Sequence, residues 1–275
     1  MLFSRRAAIK GMLVTSVGAV TGAASYGMAF ERHQIGVTQA ALPVSGLPSA
    51  LDGLRIGLLT DIHHSQTVSA SDVTRAVDLV MAQHPDLIVL GGDYVSFGDR
   101  AFMGPVAELL GPLRAPQGVF AILGNHDDDR DMPAALARHH IEVLKDARTR
   151  LVVRGEAMDL AGVRFWTRRP EEIARVLRKA AAETVVLLAH DPRRLTEASA
   201  LNVPAVLSGH THGGQVVLPG VGAVARRRFP VLAGLGSKEN TSIFVSRGIG
   251  TVYVPVRINC PPEVAIITLT RRSQI

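Results

Sequence analysis

Residues 54–64 read LRIGLLTDIHH, a short apolar run that stops at an aspartate followed by histidines. A run of this length, rich in Leu and Ile and bounded by polar residues, predicts a buried β-strand. Because side chains alternate along an extended chain, Asp61 and His63 are predicted to point the same way and to bind one cation together. An isolated Asp-x-His triplet is equally typical of a turn, so this interpretation depends on the rest of the chain.

Four further apolar runs end in the same manner, with side chains that bind metals. The runs are 86–90, 119–123, 184–189 and 204–208. The segments that follow them are Gly91-Gly92-Asp93, Gly124-Asn125-His126-Asp127, His190-Asp191-Pro192 and Gly209-His210-Thr211-His212-Gly213-Gly214. Each segment alone is compatible with a turn, but independent turns have no reason to place such side chains at consecutive strand ends. Because the carboxyl ends of strands form the ligand crevice of open α/β sheets, we predict a metal site built from Asp61, His63, Asp93, Asn125, His190, His210 and His212.

Segments with a helical period lie between these runs. Residues 71–83 carry apolar side chains at helical spacing, and Ser71 is predicted to cap that helix. Further helices are predicted to open at Pro170 and near Asp131. The C-terminal third alternates like β-strands at 215–218, 242–246 and 263–270. We therefore predict an α/β (α+β-like) domain in which two sheets pack face to face, with helices outside.

Composition and charge narrow the classes of function. The chain has 275 residues, of which 47% are hydrophobic, so we expect a large hydrophobic core that needs no disulfide to be stable. Its single cysteine, Cys260, excludes an intramolecular disulfide and a cysteine-rich zinc site. The formal net charge of +6 is not accompanied by lysines interleaved with aromatic residues, so nucleic-acid binding is not expected. The run Arg226, Arg227, Arg228 is compatible with a solvated turn or with contact to an anionic membrane surface.

The first 30 residues resemble a twin-arginine export signal. The segment Ser4-Arg5-Arg6-Ala7-Ala8-Ile9-Lys10 precedes an uncharged stretch over 11–30. We therefore expect the twin-arginine machinery to export the chain to the periplasm, the cell wall or the outer face of the cytoplasmic membrane. Gly27 and Ala29 suit cleavage before Phe30, whereas an uncut segment would tether the domain to the membrane.

The predicted signal segment, 1–30, is followed by a predicted linker over 31–50. This stretch contains Pro43, Gly46 and Pro48 and shows no sustained hydrophobic period. Residues 51–275 are then predicted to form a single domain. No internal repeat interrupts this region, and no glycine loop ends in Gly-Lys-Ser or Gly-Lys-Thr, so a P-loop nucleotide triphosphatase is not expected.

The order of the motifs resembles the calcineurin-like metallophosphoesterase superfamily over nearly all of residues 54–270. Segments 51–56 and 246–250 resemble the exported bacterial branch described as YkuE-like. The resemblance implies the family fold, a pair of mixed sheets flanked by helices. It also implies dinuclear, metal-dependent hydrolysis of phosphate mono- or diesters outside the cytoplasm, in which water activated between the two metals attacks phosphorus.

The resemblance further implies a role for each site residue. The implied ligands of one ion are Asp61, His63 and His212, those of the other are Asn125, His190 and His210, and Asp93 bridges both. His126 would protonate the leaving oxygen or stabilise the transition state, and Asp127 would orient His126. Arg247 would hold a phosphate oxygen or form a structural salt bridge. Imidazole, carboxylate and amide ligands without thiolate suit manganese, iron, zinc or cobalt better than calcium or magnesium.

Two other functions fit the same motifs. One is a lipid pyrophosphatase acting on a UDP-2,3-diacylglucosamine-type substrate, although the dedicated enzyme for that step carries Arg where His126 stands. Export would also separate this domain from a cytoplasmic substrate. The other is a non-catalytic, wall-associated metal-binding protein, which would not need the imidazole of His126. We therefore expect the substrate to be a phosphate-ester small molecule or a lipid-linked ester.

Overall fold

Two six-stranded β-sheets form the frame of the protein in this computed structural model, which describes residues 18–178, 180, 184–223 and 228–272. The strands of the first sheet, in spatial order, are β1 (Gly36–Val44), β14 (Glu263–Arg271), β2 (Arg55–Leu59), β3 (Leu87–Leu90), β4 (Val119–Ala121) and β5 (Glu142–Val143). Those of the second sheet are β12 (Gly234–Lys238), β13 (Thr241–Val245), β9 (Ala205–Ser208), β8 (Val185–Ala189), β7 (Glu156–Val163) and β6 (Ala147–Val153). A short hairpin, β10 (Val217–Leu218) and β11 (Gly222–Ala223), stands apart from both.

Both sheets are mixed, and the predicted architecture is confirmed. In the first sheet β2, β3, β4 and β5 run parallel, whereas β14 is antiparallel to β2. In the second sheet β7, β8, β9 and β13 run parallel, and β6 and β12 are antiparallel edge strands. Parallel strands in series place their carboxyl ends at one edge of each sheet, and this edge carries the predicted site.

The core is layered, because alternate side chains of a strand face opposite sides of the sheet. On β3, Leu87 and Val89 belong to the cluster between the two sheets, whereas Ile88 and Leu90 face the helices outside. The helices over the first sheet are α2 (Ala70–Met81), α3 (Met103–Leu110) and α4 (Asp131–Ala137); those over the second are α5 (Pro170–Val176) and α6 (Leu195–Ala200). The five apolar runs quoted above therefore read as nearly continuous hydrophobic strands because both faces are buried.

The cap of α2 differs from the prediction. Ser69, not Ser71, occupies the N-cap, and its hydroxyl accepts a hydrogen bond from the amide of Asp72 at 3.2 Å. Either serine satisfies the sequence signature of a cap, and the helix begins two residues earlier than predicted. The predicted inner face, including Val73 and Val77, is buried.

The linker predicted for 31–50 is wrong over its central residues, which form a strand. Residues Gly36–Val44 form β1, which pairs in parallel with β14 along all nine residues. Leu42 and Val44 are buried between the sheets. Pro43, which indicated a linker, is tolerated because β1 lies at the edge of the sheet, where a missing N–H leaves no partner strand unpaired.

The N-terminal segment enters this frame through a helix, α1, of which residues 18–29 are described. The carbonyl of Gly27 accepts a hydrogen bond from the amide of Arg257 at 3.3 Å, so the end of α1 contacts the C-terminal part of the domain. Arg5 and Arg6 of the predicted export motif lie outside the described residues, as do Arg226 and Arg227. Within the described ranges, no helix combines the length and the apolar character that crossing a bilayer requires.

Candidate metal centre

The loops that follow β2, β3, β8 and β9 bring six predicted ligands into two neighbouring groups. One group contains Asp61, His63 and His212, and the other contains Asp93, His190 and His210. In each group the ligand atoms lie within 4.8 Å of one another. Five of the six residues are buried, and His210 is partly buried. The side chains that the motifs single out therefore converge at the carboxyl ends of the strands.

The carboxylate of Asp93 joins the two groups. Its Oδ2 atom lies 3.1 Å from His190 Nε2 and 3.6 Å from His63 Nε2, which belong to different groups. Within the first group, His212 Nε2 is 3.2 Å from His63 Nε2 and 3.4 Å from Asp61 Oδ1. Ligands held at about 2.0–2.2 Å from one cation lie about 3–3.5 Å from each other. The separations in this structure therefore fit two cation sites that share Asp93.

Three buried polar atoms of the site lack a hydrogen-bond partner among the described residues. They are Asn125 Oδ1, His190 Nε2 and His212 Nδ1, and the His190 atom faces the Asp93 carboxylate at 3.1 Å. A buried acceptor without a partner costs about 1–3 kcal/mol, so such atoms are uncommon in a folded protein unless an ion or a water satisfies them. Asn125 follows β4 and was predicted as a ligand; its unpaired amide oxygen fits that role.

Burial prepares the imidazoles to bind a cation. It lowers the pKa of His63 to about 4 and that of His210 to about 4, and it holds the pKa of His212 well below its usual value. These rings are therefore neutral at pH 7 and present a lone pair. Burial alone would also lower the pKa of His190, but the charges of Asp93 and Asp61 outweigh it and raise that pKa to about 10. A cation bound between these carboxylates would take the place of the His190 proton.

The backbone turns sharply at the ligands, which corrects part of the sequence argument. The non-glycine residues of the site with a positive φ are Asp61 (52°), His63 (50°), Asp93 (56°), His210 (70°) and His212 (51°). Asp61 and His63 thus converge through a turn after β2 and not through the alternation of an extended strand. Left-handed conformations at non-glycine residues cost roughly 1–3 kcal/mol each and cluster at functional sites, where the surrounding structure imposes them.

Asp127 holds two of these turns together. Its carboxylate accepts hydrogen bonds from the amides of Asp93 at 2.7 Å, Tyr94 at 2.8 Å and Gly124 at 2.8 Å. The carboxylate thereby ties the loop after β3 to the loop after β4. The hydrogen bonds given for this carboxylate all come from backbone amides, so no contact in the described residues supports the predicted role of Asp127 in orienting the His126 ring.

The backbone of Phe97 orients His126 instead. Its amide donates a hydrogen bond to His126 Nδ1 at 2.9 Å, so the proton of the neutral imidazole sits on Nε2. The His126 ring stands edge-on to His63, with centroids 5.0 Å apart, and its own amide donates to Asp93 Oδ1 at 2.8 Å. His126 therefore lies beside the two groups with a donor nitrogen available, as its predicted role requires.

Arg247 forms the structural salt bridge that was one of its two predicted roles. Its Nε atom donates to Glu263 Oε2 at 2.8 Å, and Nη2 donates to Thr38 Oγ1 at 3.2 Å. Glu263 is buried at the start of β14. The guanidinium thus links the loop after β13 to the first sheet. His64 belongs to neither ligand group, and its Nδ1 bonds to the carbonyl of Val68 at 2.9 Å.

Sequence reasoning missed Arg257, a fully buried cation behind the site. Its guanidinium donates to four backbone carbonyls, those of Arg247, Gly248, Gly250 and Cys260. The loop held in this way packs on a ligand, since a Cβ at Gly248 would lie 2.6 Å from Asp61 Cβ and Gly250 N donates to Asp61 O at 2.7 Å. No short motif signals this contact, because its partners are carbonyl groups that every residue carries.

Aromatic side chains surround the mouth of the site on two sides, and these were also missed. On the side of His126, the ring of Phe97 lies 5.1 Å from the imidazole and 5.6 Å from the ring of Tyr253. On the side of His210, Phe165 lies 5.2 Å and Phe229 5.5 Å from that imidazole. The polar ligand groups therefore lie between aromatic side chains on two sides.

Comparison with known proteins defines the class. The profile of the calcineurin-like phosphoesterase family matches residues 54–214, which contain all seven predicted metal ligands, and the chain belongs to this family. It is accordingly a metallophosphoesterase, a hydrolase of phosphoric ester bonds, and the metal dependence of the family agrees with the two ligand groups.

Individual relatives extend the match beyond this core. The chain is 30% identical over 278 residues to the uncharacterized metallophosphoesterase YkuE of Bacillus subtilis, covering 97% of each chain. It is 32% identical over 234 residues to the phosphodiesterase YaeI of Escherichia coli K12, covering 78% of this chain and 82% of the relative. Its fold is similar to that of the sulfate thiohydrolase SoxB of Thermus thermophilus, with a TM-score of 0.52 at 13% identity over 82% of this chain and 57% of that one.

Proposed function

We propose that this chain hydrolyses phosphodiesters and related phosphate esters with two divalent cations. Asp61, His63 and His212 hold one cation, and Asn125, His190 and His210 hold the other. Asp93 lies between them. The observation that carries the proposal is the position of Asp93 Oδ2, within 3.6 Å of an imidazole nitrogen from each group. The similarity to a relative named as a phosphodiesterase supports the diester as substrate.

The side chains around the cations have separate tasks in this proposal. Two bound cations would neutralise the phosphate oxygens and lower the pKa of a water between them. His126 Nε2–H donates a hydrogen bond to the leaving oxygen and stabilises the charge that develops there, and the Phe97 amide keeps that proton on Nε2. Asp127 holds the loops of Asp93 and Asn125 in register. The mixed nitrogen and oxygen donors favour manganese, iron, zinc or cobalt.

Metal content and hydrolysis measured on the same preparation test the proposal. We expect elemental analysis to find two metal ions per chain and bis-p-nitrophenyl phosphate to be hydrolysed. Chelation should abolish the activity, and manganese, iron, zinc or cobalt should restore it. Two bound ions without turnover of any ester would instead identify a non-catalytic metal-binding protein, and one ion or none would contradict the dinuclear assignment.

We also propose that the chain acts outside the cytoplasm. The support is the Arg5-Arg6 pair, followed by an uncharged stretch that includes helix α1. Changing Arg5 and Arg6 to Lys keeps the charge and should block export, measured as the fraction of protein outside the cytoplasm. A matched control exists at the other end of the chain, where Arg271 and Arg272 are exposed and their change to Lys should leave export intact. Unchanged export of the Arg5, Arg6 variant would contradict this proposal.

A further inference from the structure

Two exposed aromatic side chains stand at the mouth of the metal centre on the side of His126. The Phe97 side chain is 66% exposed and that of Tyr253 is 80% exposed, with ring centroids 5.6 Å apart. They come from different parts of the chain, the loop after β3 and the segment before β14. Large exposed aromatic groups that meet beside a functional site are typical of ligand-binding surfaces.

The pair is held in place despite its exposure. Gln215 Nε2 donates to the carbonyl of Val254 at 2.8 Å, and the amide of Val252 donates to Gln215 Oε1 at 3.0 Å. Both neighbours of Tyr253 are therefore fixed by one side chain, three residues after the predicted ligand His212. Phe97 is fixed through its amide, which bonds to His126 Nδ1.

The position of Phe97 and Tyr253 relative to His126 indicates which part of a substrate contacts these two rings. In the proposed reaction, on which this inference rests, water oxygen bonds to phosphorus as the bond from phosphorus to the leaving oxygen breaks. His126 Nε2–H donates a hydrogen bond to that oxygen as negative charge develops on it; the attacking water releases one proton to solvent, and the leaving alkoxide takes one up from solvent. The leaving alcohol must therefore lie against His126. Its next contact outward is the ring of Phe97, 5.1 Å from the imidazole, and then Tyr253.

We propose that Phe97 and Tyr253 form a subsite for an apolar leaving group. The substrates would be phosphate esters whose alcohol is either a flat ring system or an extended alkyl chain, since both pack on aromatic faces. The subsite selects the alcohol and leaves phosphate recognition to the metal centre. Its effect falls mainly on KM, because the contact forms in the enzyme–substrate complex as well as in the transition state.

Paired esters that differ in apolar size but not in leaving-group chemistry test the subsite. The flat pair is phenyl and 2-naphthyl, and the chain pair is ethyl and octyl, each as the monoester and as the methyl diester. The released alcohol is measured with metal-loaded protein. We expect kcat/KM to favour the larger member of at least one pair by about fivefold or more. Preference within the flat pair identifies a ring system, and preference within the chain pair identifies a lipid-like alcohol.

In the variants Phe97→Ala and Tyr253→Ala, the ratio of kcat/KM between the larger and the smaller ester should fall close to one. The change should come from KM. Both retain the backbone amide at position 97, so the orientation of His126 is preserved. Tyr26→Ala is the matched control, because Tyr26 is also an exposed tyrosine and stacks on Phe30 of the N-terminal segment. We expect this control to keep the ratio of the unchanged protein. Inhibition by free 2-naphthol, stronger than by phenol and lost in Tyr253→Ala, gives a second reading independent of turnover.

Equal kcat/KM within both pairs, or a preference that survives in both variants, would overturn the subsite while the proposed hydrolysis stands. Release of no alcohol from any ester would overturn the proposed function itself, and the subsite with it. The two failures are distinguishable, because the variants alter selectivity between esters and not the existence of hydrolysis.

Discussion

The two sheets contribute different chemistry to the metal centre. Loops after strands of the first sheet supply both carboxylates and the amide oxygen, whereas loops after β8 and β9 of the second sheet supply only imidazoles. The carboxylates also organise the opposite half, since both oxygens of Asp61 accept from the amide of His210 at 3.0 Å. Asp93 likewise reaches His190 of the second sheet. The first sheet therefore sets the geometry, and the second completes the ligand set.

Removing Asp93 tests this asymmetry most severely. In Asp93→Ala both groups lose a shared ligand, and His126 loses the acceptor of its amide. We expect kcat/KM to fall by about 10⁴-fold or more, because hydrolysis without bound metal loses both charge neutralisation and water activation. Elemental analysis should find less than one ion per chain. Retention of two ions would show that Asp93 does not join the groups.

A substitution at His126, which follows β4 of the first sheet, tests catalysis separately from metal binding. His126→Ala removes the hydrogen-bond donor to the leaving oxygen but none of the proposed ligands, so metal content should stay at two ions per chain. We expect kcat to fall by about 10²-fold or more, the usual cost of removing a hydrogen-bond donor to charge that develops in the transition state. Hydrolysis of bis-p-nitrophenyl phosphate provides the measurement. Undiminished kcat in the metal-loaded variant would remove the proposed role of His126.

The ligands were predictable from the sequence because metal chemistry is local. Asp, Asn and His at the ends of apolar runs are visible without any knowledge of the fold, and the crevice at the carboxyl ends of strands explains why they meet. The predicted reason for their convergence, side-chain alternation along an extended strand, was wrong, since Asp61 and His63 have positive φ values. Such turns depend on distant partners, such as the loop at Gly248 packed on Asp61, which no local pattern reveals.

The parts of the fold that escaped prediction share a physical cause. β1 was interpreted as a linker because edge strands tolerate proline and carry polar residues on their open face. The hairpin of β6 and β7 was not predicted, and β6 contains Arg148 and Arg150, which pair with Asp159 of β7. Long-range contacts also explain why the pair of Phe97 and Tyr253 was missed, because those residues are far apart in the chain.

His212 tests the contribution of the second sheet. His212→Ala removes one imidazole from the first group and leaves both carboxylates in place. We expect one of the two ions to be bound weakly. We expect kcat/KM to fall by about 10- to 100-fold and excess manganese to reverse part of this loss. Titration of activity against added metal measures the effect. A loss as deep as that of Asp93→Ala, without recovery by metal, would show that the two halves contribute equally.

The smallest effect on turnover is expected at Arg247, where the two halves are joined by a salt bridge. Its guanidinium bonds to Glu263, which is 2% exposed, so Arg247→Gln leaves a buried carboxylate without its cation. We expect kcat/KM to change by less than about threefold, while the free energy of unfolding falls by about 2–4 kcal/mol in denaturant titrations. The double variant Arg247→Gln, Glu263→Gln should recover part of that stability, because no buried charge remains unpaired. A fall in kcat/KM beyond tenfold with unchanged unfolding would instead assign Arg247 to the phosphate, and the joint between the sheets would then rest on other contacts.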